Sequence, residues 1–293
     1  MSANLPLGTM IAEPWADYGL IDSGAGRKLE RYGPYRFIRP EPQAMWLPAQ
    51  PDWQAHGSFI PASDEDGGGR WHFDKPVPDG WQLRWEEARF QASCTPFRHL
   101  GFFPDMAPVW QWARERLHGL EAPQFLNLFG YTGVGTLALS ATGAQCVHVD
   151  ASKKSVAQAR ANAALSGMEA NPVRWIIDDA AKFAAREVRR ERRYHGILLD
   201  PPKYGRGPDG EIWRLEENLP GLIADCRRLL DGESRFLFLT VYAVRMSALA
   251  IGELLRAHLG DLPGRIECGE LAVREEARGL LLPTAIWARW TRD

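Results

Sequence analysis

An α/β fold built on a doubly wound, mostly parallel sheet, with a small β-rich region in front of it, is what this sequence predicts. Three observations carry the prediction. From Pro123 onward, short apolar runs alternate with longer helical stretches, the pattern of parallel strands joined by crossover helices. Between Phe125 and Asp150 an apolar run meets a glycine cluster (Gly130, Gly133, Gly135), then a small-residue helical stretch and a second apolar run ending in an acid. Before residue 93 the text is instead rich in Pro, Gly and Trp, with short runs separated by turn signals.

Residues 1–92 read as a region of hairpins. YRFIR (35–39) and WQLRW (81–85) are its clearest strands, and the alternation in WQLRW fits a half-buried strand better than a helix. Arg39-Pro40, Asp66-Gly67-Gly68-Gly69 and Pro78-Asp79-Gly80 supply turns. Residues 93–293 read as the second domain, opening on a helix over 105–119 that tolerates Pro108 near its first turn. Strands are expected at 125–129, 146–149, 173–177, 196–200, 235–241, 265–273 and 282–290, and helices at 134–142, 152–165, 180–192, 213–230 and 247–258. Only REEARGLL separates the last two strands, too little for a crossover helix, so they close the sheet as an antiparallel hairpin. Seven strands ending in a hairpin make a Rossmann-like sheet.

Composition removes several function classes. At 45% hydrophobic and 25% charged residues the chain is an ordinary globular protein. Its four cysteines form no C-x-x-C pair and read as reduced thiols, without a disulfide framework or a zinc site. His99, His148 and His195 show no metal-ligand spacing, so no metal is expected. MSANLPLGTMIAEP has no basic start followed by an apolar core, and no run approaches the roughly 18 apolar residues that cross a bilayer, so a cytoplasmic, membrane-free protein is expected. A net charge of −2 argues against a lone, tight nucleic-acid binder and leaves such contacts to a local patch. Arg186, Arg189, Arg190, Arg192 and Arg193 are the densest candidate, although with Glu187 and Glu191 interspersed they also read as a solvated helix face.

The chemistry concentrates at strand ends. Glycines permit sharp turns and close backbone approach, and a helix start offers free N–H groups to an anion. Asp150, 20 residues after Gly130, is placed to accept hydrogen bonds from ribose hydroxyls. The glycine order is G-x-x-G-x-G, whereas the dinucleotide fingerprint is G-x-G-x-x-G, which points away from NAD and towards S-adenosylmethionine. Asp178 and Asp179 follow the third strand on the same edge of the sheet. They suit the adenine end of that cofactor, Asp179 above all, and either also suits a helix cap. Leu199-Asp200-Pro201-Pro202-Lys203-Tyr204 ends the fourth strand. Two prolines fix the backbone there, Asp200 and nearby carbonyls can hold an N–H or O–H nucleophile, and Tyr204 can stack on a base.

NLFGYTGVGTLAL, VHVDASKKSVAQARANAALSG, IIDDAAKF and LDPPKYGRG resemble the bacterial class I S-adenosylmethionine-dependent methyltransferases related to the 23S ribosomal RNA methyltransferases, in which the glycine motif is followed by D-P-P-K-[FY]. The similarity runs from about residue 95 to 293, and RKLERYGPYRFIRPEPQAMW resembles the front end of one bacterial subgroup of that family. The resemblance implies fold, cofactor and methyl transfer, and more loosely an RNA substrate. It adds Asn127, Phe129 and Thr132 to the cofactor-binding set, and TPFRHLGFFPDMAPVW (95–110) resembles the segment that closes over the cofactor's methionine end, with Phe103 and Asp105 as lining candidates.

One departure from the family is informative. Members that methylate cytosine C5 carry a nucleophilic cysteine near the end of strand four or five, where this chain has Thr240, Val241 and Tyr242. Cys146 and Cys226 read as core, and His148 as a satisfied core histidine. Transfer to nitrogen or oxygen is therefore expected, with Asp200, Pro201, Pro202 and Tyr204 as the reacting set and RNA as the favoured acceptor. A small-molecule or protein methyltransferase using the β-rich region as a lid, and a cofactor binder without catalysis, stay open at this point. So does the oligomeric state. The tryptophans Trp46, Trp53, Trp71, Trp81 and Trp85 read as filler for a small core before they read as base-stacking surfaces.

Overall fold

The computed structural model describes residues 5–62, 68–242 and 245–292; Asp66 and Gly67 of one expected turn lie outside the described residues. The chain opens with strand β1 (Leu7–Ala12) and continues with β2 (Tyr18–Gly24), β3 (Arg27–Tyr32), β4 (Tyr35–Pro40), β5 (Gly57–Pro61) and β6 (Gly69–Phe73). A hairpin of β7 (Trp81–Trp85) and β8 (Ala88–Ala92) follows. Both 35–39 and 81–85 are strands as expected, and the buried–exposed alternation of WQLRW is that of a strand with one face on the core.

From residue 104 the alternation takes over. A 3-10 turn (Pro104–Met106) leads into helix α1 (Ala107–Leu117), then β9 (Gln124–Leu128), α2 (Val134–Ser140), β10 (Gln145–Asp150), α3 (Lys153–Leu165), β11 (Val173–Ile177), α4 (Ala180–Arg189) and β12 (Gly196–Leu199). A short hairpin, β13 (Tyr204–Arg206) and β14 (Ile212–Arg214), comes before α5 (Leu215–Arg228), β15 (Phe236–Tyr242), α6 (Ala248–Leu259), β16 (Arg265–Arg274) and β17 (Leu281–Thr291). The β13–β14 hairpin was not expected. It shortens the helix foreseen from residue 213, because Trp213 pairs with Gly205 and donates its indole N–H to the Pro202 carbonyl at 2.7 Å.

The large sheet runs β1-β16-β17-β15-β12-β9-β10-β11, with β17 antiparallel to both neighbours. Its order reverses between β9 and β12, so the loops leaving their carboxyl ends diverge and open a cleft. Alternate residues serve its two faces: Phe125, Phe236 and Phe238 join one core, Leu126, Leu237 and Leu239 the other. β1 lies inside the stretch that composition groups with the N-terminal region, yet it pairs in parallel with β16 from Leu7↔Cys268 to Ala12↔Val273. A run such as LGTMIA has no pattern to say which sheet it will join.

The sheet β2-β3-β4-β5-β6 does not have a core of its own. Tyr18, Tyr32, Phe37 and Trp81 belong to one continuous cluster with Trp110, Phe125 and Phe238. The tryptophans act as filler: the indole N–H groups of Trp46, Trp53, Trp71 and Trp81 all bond to nearby protein oxygens.

Candidate functional site

The site begins where β9 ends. Phe129 and Tyr131 adopt left-handed backbone angles (φ 61° and 50°), each costing on the order of 1–2 kcal/mol for a residue with a side chain. The loop is held by what surrounds it. Asp150, at the end of β10, accepts the Tyr131 N–H at 2.9 Å and the Ser152 N–H at 2.8 Å. Thr132 donates to the Gly101 carbonyl at 2.6 Å, which ties the loop to the 95–103 segment. Gly133 is left-handed (φ 83°), whereas Gly130 is needed for space: a Cβ there would come within 2.4 Å of the His148 ring. His148 is a core residue that shares the Thr136 hydroxyl with Asn127, although its Nε2 has no hydrogen-bond partner.

A cleft follows from this arrangement. Asn127, Phe129, Gly130, Thr132, Gly133's neighbour Val134 and Gly135 line one side, and Asp200 and Phe103 approach from the other. Phe102, Met106, Trp110, Tyr131 and Leu198 complete it and were not foreseen. Residues on α1 and the 3-10 turn reach the cleft only through the tertiary fold, which no local pattern announces. The remaining acids flank the cleft at the next strand ends. Asp150 has its pKa raised by burial. Asp179 caps α4 by accepting the Lys182 N–H at 2.9 Å, and Asp178 is paired with Arg186. Ile177, 43% exposed, leaves an apolar face beside them.

Asp200 is the unusual group. Burial pushes its pKa up to about 7, the Thr240 hydroxyl bond at 2.7 Å works against that, and the charge of Asp105 adds to it. Thr240 was legible in principle. Leu199 pairs with Leu239 in the parallel register, so the next residue of β15 must stand beside Asp200. Pro201 is buried behind Asp200 and Pro202 is exposed. Tyr204 stands on β13, 51% exposed, outside the cleft lining. Asp105 also lies outside that lining; it faces a second cavity, which shares Phe102 and Phe103 with the first.

The cysteines are inert. Burial raises the thiol pKa of Cys146 and Cys226, pushes Cys94 up to about 12, and none of the four lines the cleft. The arginine cluster sits away from the chemistry. α4 starts at the carboxyl edge and carries Arg189, Arg190, Arg192 and Arg193 back to the opposite edge of the sheet, with Arg186 and Arg190 already paired to Asp178 and Glu187. Among the described residues no three His, Cys, Asp or Glu side chains converge as a metal site, and no helix is long and apolar enough to cross a membrane.

Comparison with known proteins gives a consistent set of likenesses. A family model described as S-adenosylmethionine-dependent methyltransferase matches residues 50–231. A crystal structure of the SAM-dependent methyltransferase from Agrobacterium tumefaciens is 39% identical, with a TM-score of 0.92 over 100% of this chain and 97% of that one. SMU.776, solved in complex with SAH, shares the fold at 14% identity, with a TM-score of 0.73 over 94% of this chain and 76% of that one. Ribosomal RNA large subunit methyltransferase K/L of Hahella chejuensis is 30% identical over 144 residues, 48% of this chain and 19% of that protein. Ribosomal RNA large subunit methyltransferase I of Aeromonas salmonicida is 34% identical over 84 residues, 28% of this chain and 21% of that protein. The chain thus spans about a fifth of the length of these curated relatives.

Proposed function

This chain belongs to the S-adenosylmethionine-dependent methyltransferase family, and on that premise we propose that it methylates a nitrogen or oxygen of an RNA nucleotide, with Asp200 as the reacting carboxyl. One observation carries the reading: Asp200, with its proton poised near neutrality, lines the same cleft as the glycine loop.

The residues fit the cofactor. Asp150 would hold the ribose hydroxyls, Asp178 and Asp179 with the bare face of Ile177 would take the adenine, and Asn127, Phe129, Gly130, Thr132, Gly135 and Phe103, which line the cleft, would shape the remainder together with the turn at Gly133. Bound there, S-adenosylmethionine supplies a methyl carbon already activated by its sulfonium leaving group. Asp200 would accept the hydrogen bond of the acceptor N–H or O–H, orient that group for attack, and take its proton. Pro201 and Pro202 keep the strand end rigid. Tyr204, exposed between Lys203 and Arg206, offers a flat ring to a base at the rim.

RNA is favoured over a small molecule by the charges at this edge. Lys203, Arg206, Arg214 and Arg245 are exposed on the segments that leave β12 and β15. We read residues 1–92, apart from β1, as the substrate-recognition or lid region and 93–293 as the catalytic domain. The test is transfer of a tritiated methyl group to fractionated extract of a strain lacking the protein. Label in RNA is expected; label in small molecules alone overturns the acceptor assignment.

A further inference from the structure

Behind Phe102 and Phe103 lies a second cavity, walled on one side by the N-terminal sheet and on the other by the carboxyl edge of the catalytic sheet. Lys28, Glu30 and Arg39 enter it from β3 and β4, Arg98 and Asp105 from the connecting segment, and Tyr242 from the end of β15. It adjoins the reacting carboxyl: the charges of Asp105 and Asp200 both act on Tyr242, and Asp105 acts on Asp200.

The charges in this cavity are unevenly matched. Glu30 is taken up by Arg39, with bonds of 2.7 and 2.8 Å, and Lys28 pairs with Glu41 at 3.1 Å. Arg98 forms no ion pair among the described residues, and burial together with the nearby Arg39 lowers its pKa. Glu41 and Glu30 attract this half-buried guanidinium only from beyond ion-pair contact, so its planar fork is left open to phosphate oxygens. Next to it His99 is held neutral, its pKa lowered to about 3 by burial and then by Arg39 and Arg98, so its ring presents hydrogen bonds and not charge. The buried Tyr242 hydroxyl lies beside Asp105 without a hydrogen bond of good geometry. Such groups are normally satisfied, and the polar edge of a ligand would satisfy this one.

We propose that this second cavity is the acceptor pocket, taking a nucleotide whose phosphate pairs with Arg98 and whose base presents its polar edge to His99, Asp105 and Tyr242, next to Asp200. The inference rests on RNA being the acceptor and adds the residues that demand a phosphate-bearing substrate. The N-terminal sheet is then part of the active site, because Arg39 adds to the burial that keeps His99 neutral and its Nη1 donates to the Arg98 backbone carbonyl at 2.8 Å.

Calorimetry on the full chain saturated with S-adenosylhomocysteine reads the pocket without turnover. The four nucleoside 5′-monophosphates and the matching nucleosides are the probes. At least one monophosphate should bind ten-fold or more tighter than its nucleoside. Arg98→Gln, which keeps the packed stem, should erase that difference while S-adenosylhomocysteine still binds; Arg98→Lys should keep part of it. Tyr242→Phe should weaken nucleoside and monophosphate alike. In transfer to RNA, Arg98→Gln should raise KM about ten-fold, with a smaller change in kcat, and flatten the salt dependence by about 0.7 in log–log slope. Monophosphate and nucleoside binding equally, or a preference that survives Arg98→Gln, overturns the pocket. If RNA is methylated and Arg98→Gln moves neither KM nor slope, the pocket falls and the RNA reading stands. If no RNA is labelled but the monophosphate preference depends on Arg98, the pocket stands and the acceptor is a free nucleotide.

Discussion

Glu30 in the N-terminal sheet and Asp200 at the carboxyl edge of the catalytic sheet both lose water on folding, and their protons move in opposite directions. Burial works against the charge of both. At Glu30 the Arg39 guanidinium, then Lys28, overcome it and bring the pKa down to about 2, with hydrogen bonds from Arg39 and Tyr18 assisting. Asp200 has one hydroxyl donor, Thr240, and a like-charged neighbour, Asp105, so its pKa rises to about 7. Depth therefore does not decide the state of a buried acid; its partners do. The N-terminal sheet uses its acid to hold strands together, whereas the carboxyl edge leaves Asp200 under-satisfied, as the proton acceptor proposed for it requires.

The sharpest way to break this contrast is Asp200→Asn. The amide keeps the shape but accepts no proton, so methyl transfer should fall by roughly 10²–10⁴-fold, while S-adenosylmethionine binding measured by calorimetry stays within a few-fold. In the parent protein the rate should rise with pH through about 7, because only the deprotonated Asp200 can take the proton; the variant's residual rate should lack that limb. Stability runs the other way. A raised carboxyl pKa contributes stability that is complete below the ordinary aspartate value and is lost as pH rises through about 7, so Asp200→Asn should unfold at higher urea than the parent at pH 8. Full activity in Asp200→Asn would remove this residue from the mechanism.

Glu30→Gln tests the other pole. It leaves the Arg39 guanidinium buried with its charge uncompensated, which should cost about 3–5 kcal/mol in urea unfolding. The sign of its pH dependence is opposite to that of Asp200. A depressed pKa contributes stability that is complete above the ordinary glutamate value and is lost as pH falls towards about 2, so the parent should lose stability in that acid window and the variant should lose less. Equal acid sensitivity in the two proteins would show that Glu30 is not held ionised.

Asp150→Ala should have a smaller effect, confined to the cofactor. Losing the acceptor of the Tyr131 and Ser152 N–H groups, and the ribose contact proposed for it, should weaken S-adenosylmethionine binding by about 10–100-fold. An unchanged affinity would confine Asp150 to bracing the loop. This residue also shows how far the sequence could be read. Asp150, Asp179 and Asp200 each end an apolar strand, and any doubly wound sheet brings its strand ends to one edge, so their convergence follows from periodicity alone. The strands of the catalytic sheet fall within one or two residues of expectation for the same reason. The pairing of β1 with β16, the β13–β14 hairpin and the Glu30–Arg39 pair were out of reach, because each depends on which distant segment arrives beside it. The left-handed Phe129 and Tyr131 were hidden as well: glycines advertise such angles, and here two aromatic residues adopt them.

The finest test is Thr240→Val, which replaces a hydroxyl by a methyl of similar size beside Asp200. It removes the one side-chain donor that lowers the Asp200 pKa, and leaves Asp105, the cleft and the glycine loop as they are. A hydrogen bond to a charged acceptor is worth about 1.5–3 kcal/mol, so the rising limb of the rate should move upward by about one to two pH units. Above the new midpoint the two proteins should approach the same rate, since the deprotonated carboxylate is then present in both. This outcome ties the limb to Asp200 without touching the residue itself. A rate lowered equally at every pH would instead mean that Thr240 positions the strand end, and that the proton released in transfer leaves by another route.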